Sequence, residues 1–147
     1  MATVRTPSDE VRSDIQETLG RVPEWVNELP QTALPPFWSL MKNFQLGETR
    51  IPNKYKELIG LAVSGATRCR YCALFHTEAA RLNGATDEEI AEASLMGGFT
   101  MMASTFLNAQ QADYDSFKRE TLDIVAYVKA QAGKTPQASP AAHADRV

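Results

Sequence analysis

Two thiols, an imidazole and a carboxylate lie close together in one stretch of this chain. Cys69 and Cys72, its only cysteines, stand as C-x-x-C, His76 follows one helical turn later, and Glu57 lies upstream in an apolar run. A thiol becomes a nucleophile only as its thiolate, and free cysteine titrates near pH 8.5, about 1.5 units above neutral. A base or a positive potential beside it is therefore needed. The second thiol allows the first, once oxidised, to be recovered as a disulfide. The set carries the parts for thiol redox chemistry.

These groups must be positioned by helices. Residues three and four apart share a helical face, so Cys69, Cys72 and His76 fall on one stripe of a helix predicted over about Cys69–Leu82 and ended by Asn83-Gly84. Ala73, Ala79 and Ala80 border that stripe, while Tyr71, Phe75 and Leu82 make a bulkier packing face. Cys69 falls at the helix N-terminus, where the dipole favours a thiolate. His76 is placed to take a proton from Cys72, directly or through water. Glu57 shares a stripe with Leu61 and Ser64 on the preceding helix, predicted over about Asn53–Gly65. Its apolar setting suits a carboxylate to proton relay; a surface pairing with Lys54 or Lys56 fits the sequence equally. A regular helix holds Cβ atoms at i and i+3 about 5–6 Å apart, and a disulfide wants roughly 3.8 Å. The bond therefore requires an adjusted first turn and should be easily reduced.

The same residues bear on other chemistries. Covalent haem attachment needs a histidine directly after the second cysteine, and that position is Ala73. A thioredoxin fold needs a βαβ pattern around the pair, and the periodicity here is helical. Zinc needs about four ligands, and the usual second pair is missing, so no metal and no cofactor is expected. The cysteines could also be plain core residues; a histidine in phase with both favours function. His143 lies in the tail and is incidental.

The rest of the chain reads as helices without strands. Ser8 is the expected cap of a first helix carrying Val11, Ile15 and Leu19 and ending at Gly20. Pro23 starts a short helix through Trp25, Val26 and Leu29. Pro35-Pro36 opens another, with Phe37, Leu40, Met41 and Phe44 inward. Thr86 and Glu89 form a capping box for a helix that runs to a kink or break at Gly97-Gly98. Phe99, Met102, Ala103, Phe106 and Leu107 continue the pattern beyond it. A last helix from about Asp113 buries Phe117, Ile124, Val125 and Val128. Phe75, Met101, Met102 and Phe106 are candidates for an apolar pocket wall. Residues 1–132 are expected to form one helical domain of about six to eight helices, and 133–147 a disordered tail.

Composition narrows the class. The chain has 147 residues, 44% of them apolar and 22% charged, with a net charge of −3. No basic block suggests nucleic acid, no basic amphipathic helix suggests a membrane surface, and no apolar run is long enough to span a bilayer. No signal peptide is visible, so a cytoplasmic location is expected. In a reducing compartment a close cysteine pair points to redox, catalytic or metal chemistry.

Glu57, Cys69-x-x-Cys72 and His76, followed by Gly84-Ala85-Thr86 and Asp87-Glu88-Glu89-Ile90, resemble the alkylhydroperoxidase D-like group of the carboxymuconolactone decarboxylase superfamily. The likeness covers roughly residues 52–107; Val22-Pro23 and the Pro35-Pro36 helix also look like the family's N-terminal part. The resemblance implies an all-α fold with a core helical hairpin carrying C-x-x-C, assembled as trimers or hexamers. It implies thiol-dependent peroxidase activity with Cys72 as peroxidatic thiol, Cys69 as resolving thiol, and Glu57 and His76 as proton relay. It also implies re-reduction by a dithiol, or by a lipoylated or thioredoxin-like protein. Characterised members carry a histidine just before the second cysteine, where this chain has Tyr71. Decarboxylases of the superfamily generally lack the cysteine pair. Thiol–disulfide exchange on protein substrates, or a redox-responsive or metal-binding helical module, are the alternatives.

Overall fold

The computed structural model describes residues 6–132, and within them every regular element is helical. The expected tail at 133–147 lies outside the described residues. Helix α1 spans Pro7–Leu19, a 3₁₀ turn Glu24–Glu28, α2 Leu34–Leu40, a π-helical segment Met41–Leu46, α3 Asn53–Thr67, α4 Arg70–Leu82, α5 Asp87–Ala109 and α6 Tyr114–Ala132. The all-α expectation holds. The chain falls into two compact units that meet in sequence between Met101 and Met102.

In the first unit, α1 begins two residues earlier than expected. Thr6, not Ser8, is the cap: its hydroxyl accepts from the Asp9 N–H, and the Asp9 carboxylate accepts from the Thr6 N–H in return. Ser8 is instead buried and donates to the Gln31 carbonyl at 3.0 Å. Gly20 ends the helix in the left-handed region, as anticipated. Ile15, Val26, Leu34 and Trp38 form a buried core, with Val11, Val22, Leu29, Met41 and Leu46 packed around it. One carboxylate ties this layer together. Asp14 accepts from Trp38 Nε1 and from Lys42 Nζ, both at 2.6 Å. These bonds hold its carboxyl below the usual carboxylate range, the Lys42 bond contributing most and the Trp38 bond next.

The expected inward face of the third helix is corrected. Leu34, Trp38 and Met41 face the core, whereas Phe37, Leu40 and Phe44 are exposed. The stripe actually buried starts at Leu34, and the wider winding from Met41 onward shifts the phase again.

Helices α3 and α4 form the hairpin that carries the reactive residues. Arg68 turns the chain in the left-handed conformation (φ 57°). The N–H groups of Arg68 and Cys69 close back on the carbonyls of Gly65 and Ser64 at 3.2 and 3.0 Å. This is a Schellman closure, which satisfies the last carbonyls of α3. It leaves Cys69 as the N-cap of α4.

Helix α5 starts at the capping box read in the sequence: Glu89 N–H donates to Thr86 Oγ1 at 3.1 Å and Thr86 N–H to Glu89 Oε2 at 2.9 Å. Lys54 of α3 reaches the other oxygen of Glu89 at 2.8 Å. The helix runs through Gly97-Gly98 without a break, contrary to expectation. Gly97 serves close approach instead: a Cβ there would stand 2.6 Å from the Ala62 carbonyl oxygen of α3.

In the second unit, Asp113 caps α6 by accepting from the Ser116 N–H at 2.8 Å. Phe117, Ile124, Val125 and Val128 form an apolar face, but all four are exposed, which corrects the expectation that they are buried. Among the described residues no helix is long and apolar enough to cross a membrane.

Candidate active site

Glu57, Leu61 and Ser64 are the buried stripe of α3, the stripe read from the sequence. Glu57 is only 1% exposed. Burying a carboxylate is costly unless it is paired and hydrogen-bonded, and its partner is His76. The Nδ1 of that ring lies 2.6 Å from Glu57 Oε2. The surface pairing of Glu57 with Lys54 or Lys56 is not what the chain adopts: Lys54 pairs with Glu89, and Lys56 donates to the carbonyls of Phe44 and Gly47. A carboxylate only accepts, so the nitrogen facing it is the N–H one, and Nε2 remains the nitrogen free for exchange.

A small residue makes the pair possible. Gly60 lies beneath the imidazole, and a Cβ on it would come within 2.6 Å of Nδ1 and Nε2. Ser64 Oγ donates to the Gly60 carbonyl at 2.6 Å, which fixes the backbone under the ring. Phe75 meets the ring edge-on, with centroids 5.3 Å apart.

Cys69 and Cys72 are joined as a disulfide with Cα atoms 5.4 Å apart, inside the range such bonds use. The adjustment expected of the first turn lies in the cap: Cys69 takes extended backbone (φ −86°, ψ 93°), outside the helix proper. Its sulfur accepts the Cys72 N–H at 3.2 Å, one of the donors a helix start leaves open. Cys69 is half-buried and Cys72 exposed. The structure thus brings together Glu57 with His76, and Cys69 with Cys72; Cys72 and His76 lie one turn apart on α4. Tyr71 is exposed, and the Arg70 guanidinium donates to its hydroxyl at 3.1 Å. Among the described residues no group of three or more His, Cys, Asp and Glu side chains is placed to hold a metal ion.

The apolar cavity beside His76 differs from the one anticipated. A space of about 420 Å³ is walled by Phe37, Leu40, Met41, Phe44, Ile51 and Ile59, with Lys56, Gly60 and His76 also facing it. The wall therefore comes from α2 and the π-helical segment. Of the residues expected there, Phe75 touches the imidazole from another side. Met101 lines a separate space with Ile59, Ala62 and Gly97. Met102 and Phe106 belong to the second unit and are exposed. Sequence reasoning missed Gly60 and the α2 wall. A glycine inside an apolar helix, three residues after an acid on the buried stripe, was the available signal for the first. The second lies on the apolar face of α2 that turns away from the Leu34–Trp38 stripe, and periodicity alone did not tell the two faces apart.

Comparison with known proteins agrees with this architecture. The profile of the carboxymuconolactone decarboxylase family matches residues 33–113, more than half of the chain. The "Uncharacterized protein 4 in cox locus" of Paracoccus denitrificans is 32% identical over 62 residues, covering 42% of this chain and 56% of that protein. The chain thus spans little more than half the length of that relative. The crystal structure of the alkylhydroperoxidase AhpD core from Rhodospirillum rubrum superposes with a TM-score of 0.65 at 31% identity, over 79% of this chain and 96% of that one.

Proposed function

The chain belongs to the carboxymuconolactone decarboxylase family, with an AhpD-like fold, and from that membership and its site geometry we propose that it is a thiol-dependent hydroperoxide reductase. The observation that carries the reading is the His76–Glu57 pair, held at 2.6 Å over Gly60, one turn from a closed Cys69–Cys72 disulfide. The printed identity of the Rhodospirillum rubrum protein, an alkylhydroperoxidase core, supports the same chemistry.

In the reduced protein, His76 Nε2 takes the Cys72 proton, and Glu57 holds the ring in the required tautomer. The Cys72 thiolate attacks one peroxide oxygen. An S–O bond forms as the O–O bond breaks, and sulfur loses two electrons. The departing alkoxide takes the proton from His76 and leaves as an alcohol, with Cys72 now a sulfenic acid. The Cys69 sulfur then displaces the sulfenic oxygen, which leaves with the Cys69 proton as water, and the disulfide closes. An external dithiol supplies two electrons and two protons and becomes a disulfide itself. The exposure of Cys72 suits a protein-borne dithiol, lipoylated or thioredoxin-like, as that reductant.

Steady-state consumption of organic hydroperoxide with a dithiol should vanish in Cys72→Ser. In Cys69→Ser it should stop after one turnover. Undiminished steady-state rates in both variants refute the proposal. The exposure of Cys72 also favours a second reading, thiol–disulfide exchange on proteins; a mixed disulfide trapped by Cys69→Ser without peroxide turnover would select it. We also propose a homo-oligomer. Helix α5 exposes Leu95, Met96 and Phe99, and α6 exposes its own apolar face, more than single scattered residues explain. A monomer mass by light scattering would exclude this.

A further inference from the structure

The end of the hairpin that carries the disulfide has a charge of its own. From Leu58 to Thr77 the chain has no acidic residue, and two arginines, Arg68 and Arg70, flank Cys69 there. Both are exposed. Among the described residues neither guanidinium pairs with a carboxylate. The acids that bound this stretch are already taken, Glu57 by His76 at 2.6 Å and Glu78 by Arg81 at 2.8 Å. Arg70 is held over the Tyr71 ring, 4.9 Å from its centre, and donates to the Tyr71 hydroxyl at 3.1 Å. The chain as a whole carries −3, so this end is opposite in sign to the net charge of the molecule.

Apolar side chains stand outward on the same surface. Tyr71, Leu74 and Phe75 are spaced by three and four and share one face of α4; Tyr71 is 74% and Leu74 67% exposed. Cys72 is exposed beside them. Neither cavity described above is lined by any residue from Arg68 to Phe75. A small ligand gains its affinity from enclosure in a concave site. Arginine and tyrosine on an open surface are instead the residues enriched where protein faces meet.

We infer that Arg68, Arg70, Tyr71 and Leu74 form a docking surface around the disulfide for a protein whose dithiol is set in an acidic face. That the partner brings a dithiol rests on the proposed function; that its face is acidic rests on this surface alone. Docking presents the partner's first thiolate to the exposed Cys72 sulfur. A mixed disulfide forms as the Cys69–Cys72 bond breaks, and Cys69 leaves with the bonding electron pair. The partner's second thiolate then displaces Cys72, and the two protons given up by the partner's thiols end on Cys69 and Cys72. The arginines attract and orient the partner and take no part in the exchange itself.

The rate of disulfide reduction in the oxidised full chain tests this without any peroxide, read by alkylation of the new thiols and mass spectrometry. The probes are two C-x-x-C dithiol peptides, one flanked by glutamates and the other by lysines, with dithiothreitol and dimercaptosuccinate as small neutral and anionic dithiols. Each rate is divided by that of the same probe toward hydroxyethyl disulfide, which removes differences in thiol reactivity. At low ionic strength the acidic peptide should exceed the basic one about tenfold, the scale of two exposed ion pairs gained and two repulsions avoided. Added salt should erase most of that ratio. The double variant Arg68→Asn with Arg70→Gln, in which asparagine tolerates the left-handed backbone, should lose the preference and keep the dithiothreitol rate. Arg68→Lys with Arg70→Lys should keep the preference. Equal rates for the two peptides, or a ratio that salt leaves intact, overturn the inference. An equal fall with dithiothreitol in the uncharged variant would assign the arginines to stabilising the Cys69 thiolate, and a gain for dimercaptosuccinate as large as that for the acidic peptide would assign them to a small acid; either result overturns it too. If the chain is reduced as expected but consumes no hydroperoxide, the proposed function fails and the docking surface stands. A disulfide that no probe reduces refutes both.

Discussion

Replacing Gly60 by alanine perturbs the site with a single methyl group. That carbon would sit about 2.5–2.6 Å from His76 Nδ1 and Nε2, whereas non-bonded carbon contacts are comfortable at about 3.5–4.0 Å. The ring must therefore retreat by about 1 Å. The Nδ1–Oε2 distance, now 2.6 Å, would pass beyond about 3.5 Å, where no hydrogen bond remains. Glu57 would then be a buried carboxylate without its partner, at a cost of about 1–3 kcal/mol. Alanine in place of glycine in a helix interior returns about 1 kcal/mol. The net expectation is a destabilisation of up to about 2 kcal/mol. Peroxide turnover should fall much further, by about a hundredfold, because a misplacement of about 1 Å can cost that much at a catalytic group.

Gly65 provides the control on the same helix. A Cβ there meets nothing within 4 Å, so Gly65→Ala should gain about 0.5–1 kcal/mol. Urea unfolding of both variants, in the wild-type and His76→Ala backgrounds, separates the terms. With the imidazole removed, Gly60→Ala should become stabilising like Gly65→Ala. The non-additivity between positions 60 and 76 measures the contact. If Gly60→Ala raises the urea midpoint in both backgrounds and turns over peroxide at the wild-type rate, the close seating of the ring over Gly60 is wrong.

Two further outcomes follow from the packing around the hairpin. Gly97→Ala places a methyl group 2.6 Å from the Ala62 backbone oxygen, which no side-chain rotation relieves, while Gly98→Ala meets nothing within 4 Å. The first should lose about 1–3 kcal/mol and the second gain up to about 1 kcal/mol; equal urea midpoints would remove the close helix crossing. Asp14 is held below the usual carboxylate value of 3.8, first by Lys42 and then by Trp38. Its stabilising effect is therefore complete above that pH and fades as pH falls through the lower folded value. Wild type should exceed Asp14→Asn in urea midpoint at pH 7, and the gap should close on acidification; a gap independent of pH would refute the role of its charge.

What the sequence made legible depended on whether one element decided it. Cys72 and His76 share a face because a single helix imposes that spacing, with Cys69 at its cap, and Glu57, Leu61 and Ser64 share one for the same reason. The Thr86–Glu89 box was readable because both partners lie within one turn. The box at Thr6 and Asp9 was just as local, but Ser8 offered a competing cap, and only its burial against Gln31 decides between them. Gly97 read as a break because glycine lowers helix propensity; its value lies in the approach of α3, which no window of the sequence contains. Periodicity marked the apolar face of α6 correctly, but an apolar stripe does not state what covers it. Phe37, Leu40 and Phe44 were assigned to the core by α-helical counting; for Phe37 and Leu40 the count started on the wrong stripe, since Leu34 and Trp38 are the buried positions of α2, and only for Phe44 does the π-helical winding from Met41 shift the phase.

The order Lys56-Glu57 deserves its physical reason. Adjacent residues on a helix do not face each other, so two opposite charges side by side in the chain need not neutralise one another. Glu57 turns inward, where burial makes a partner obligatory and His76 is the group that meets it. Lys56 turns to the π-helical segment and holds the ends of its carbonyls against α3. Gly60, one turn on, leaves room for the ring between these two directions. Three residues within five positions of one helix thus fix the imidazole, the carboxylate that orients it, and the wall of the cavity it faces.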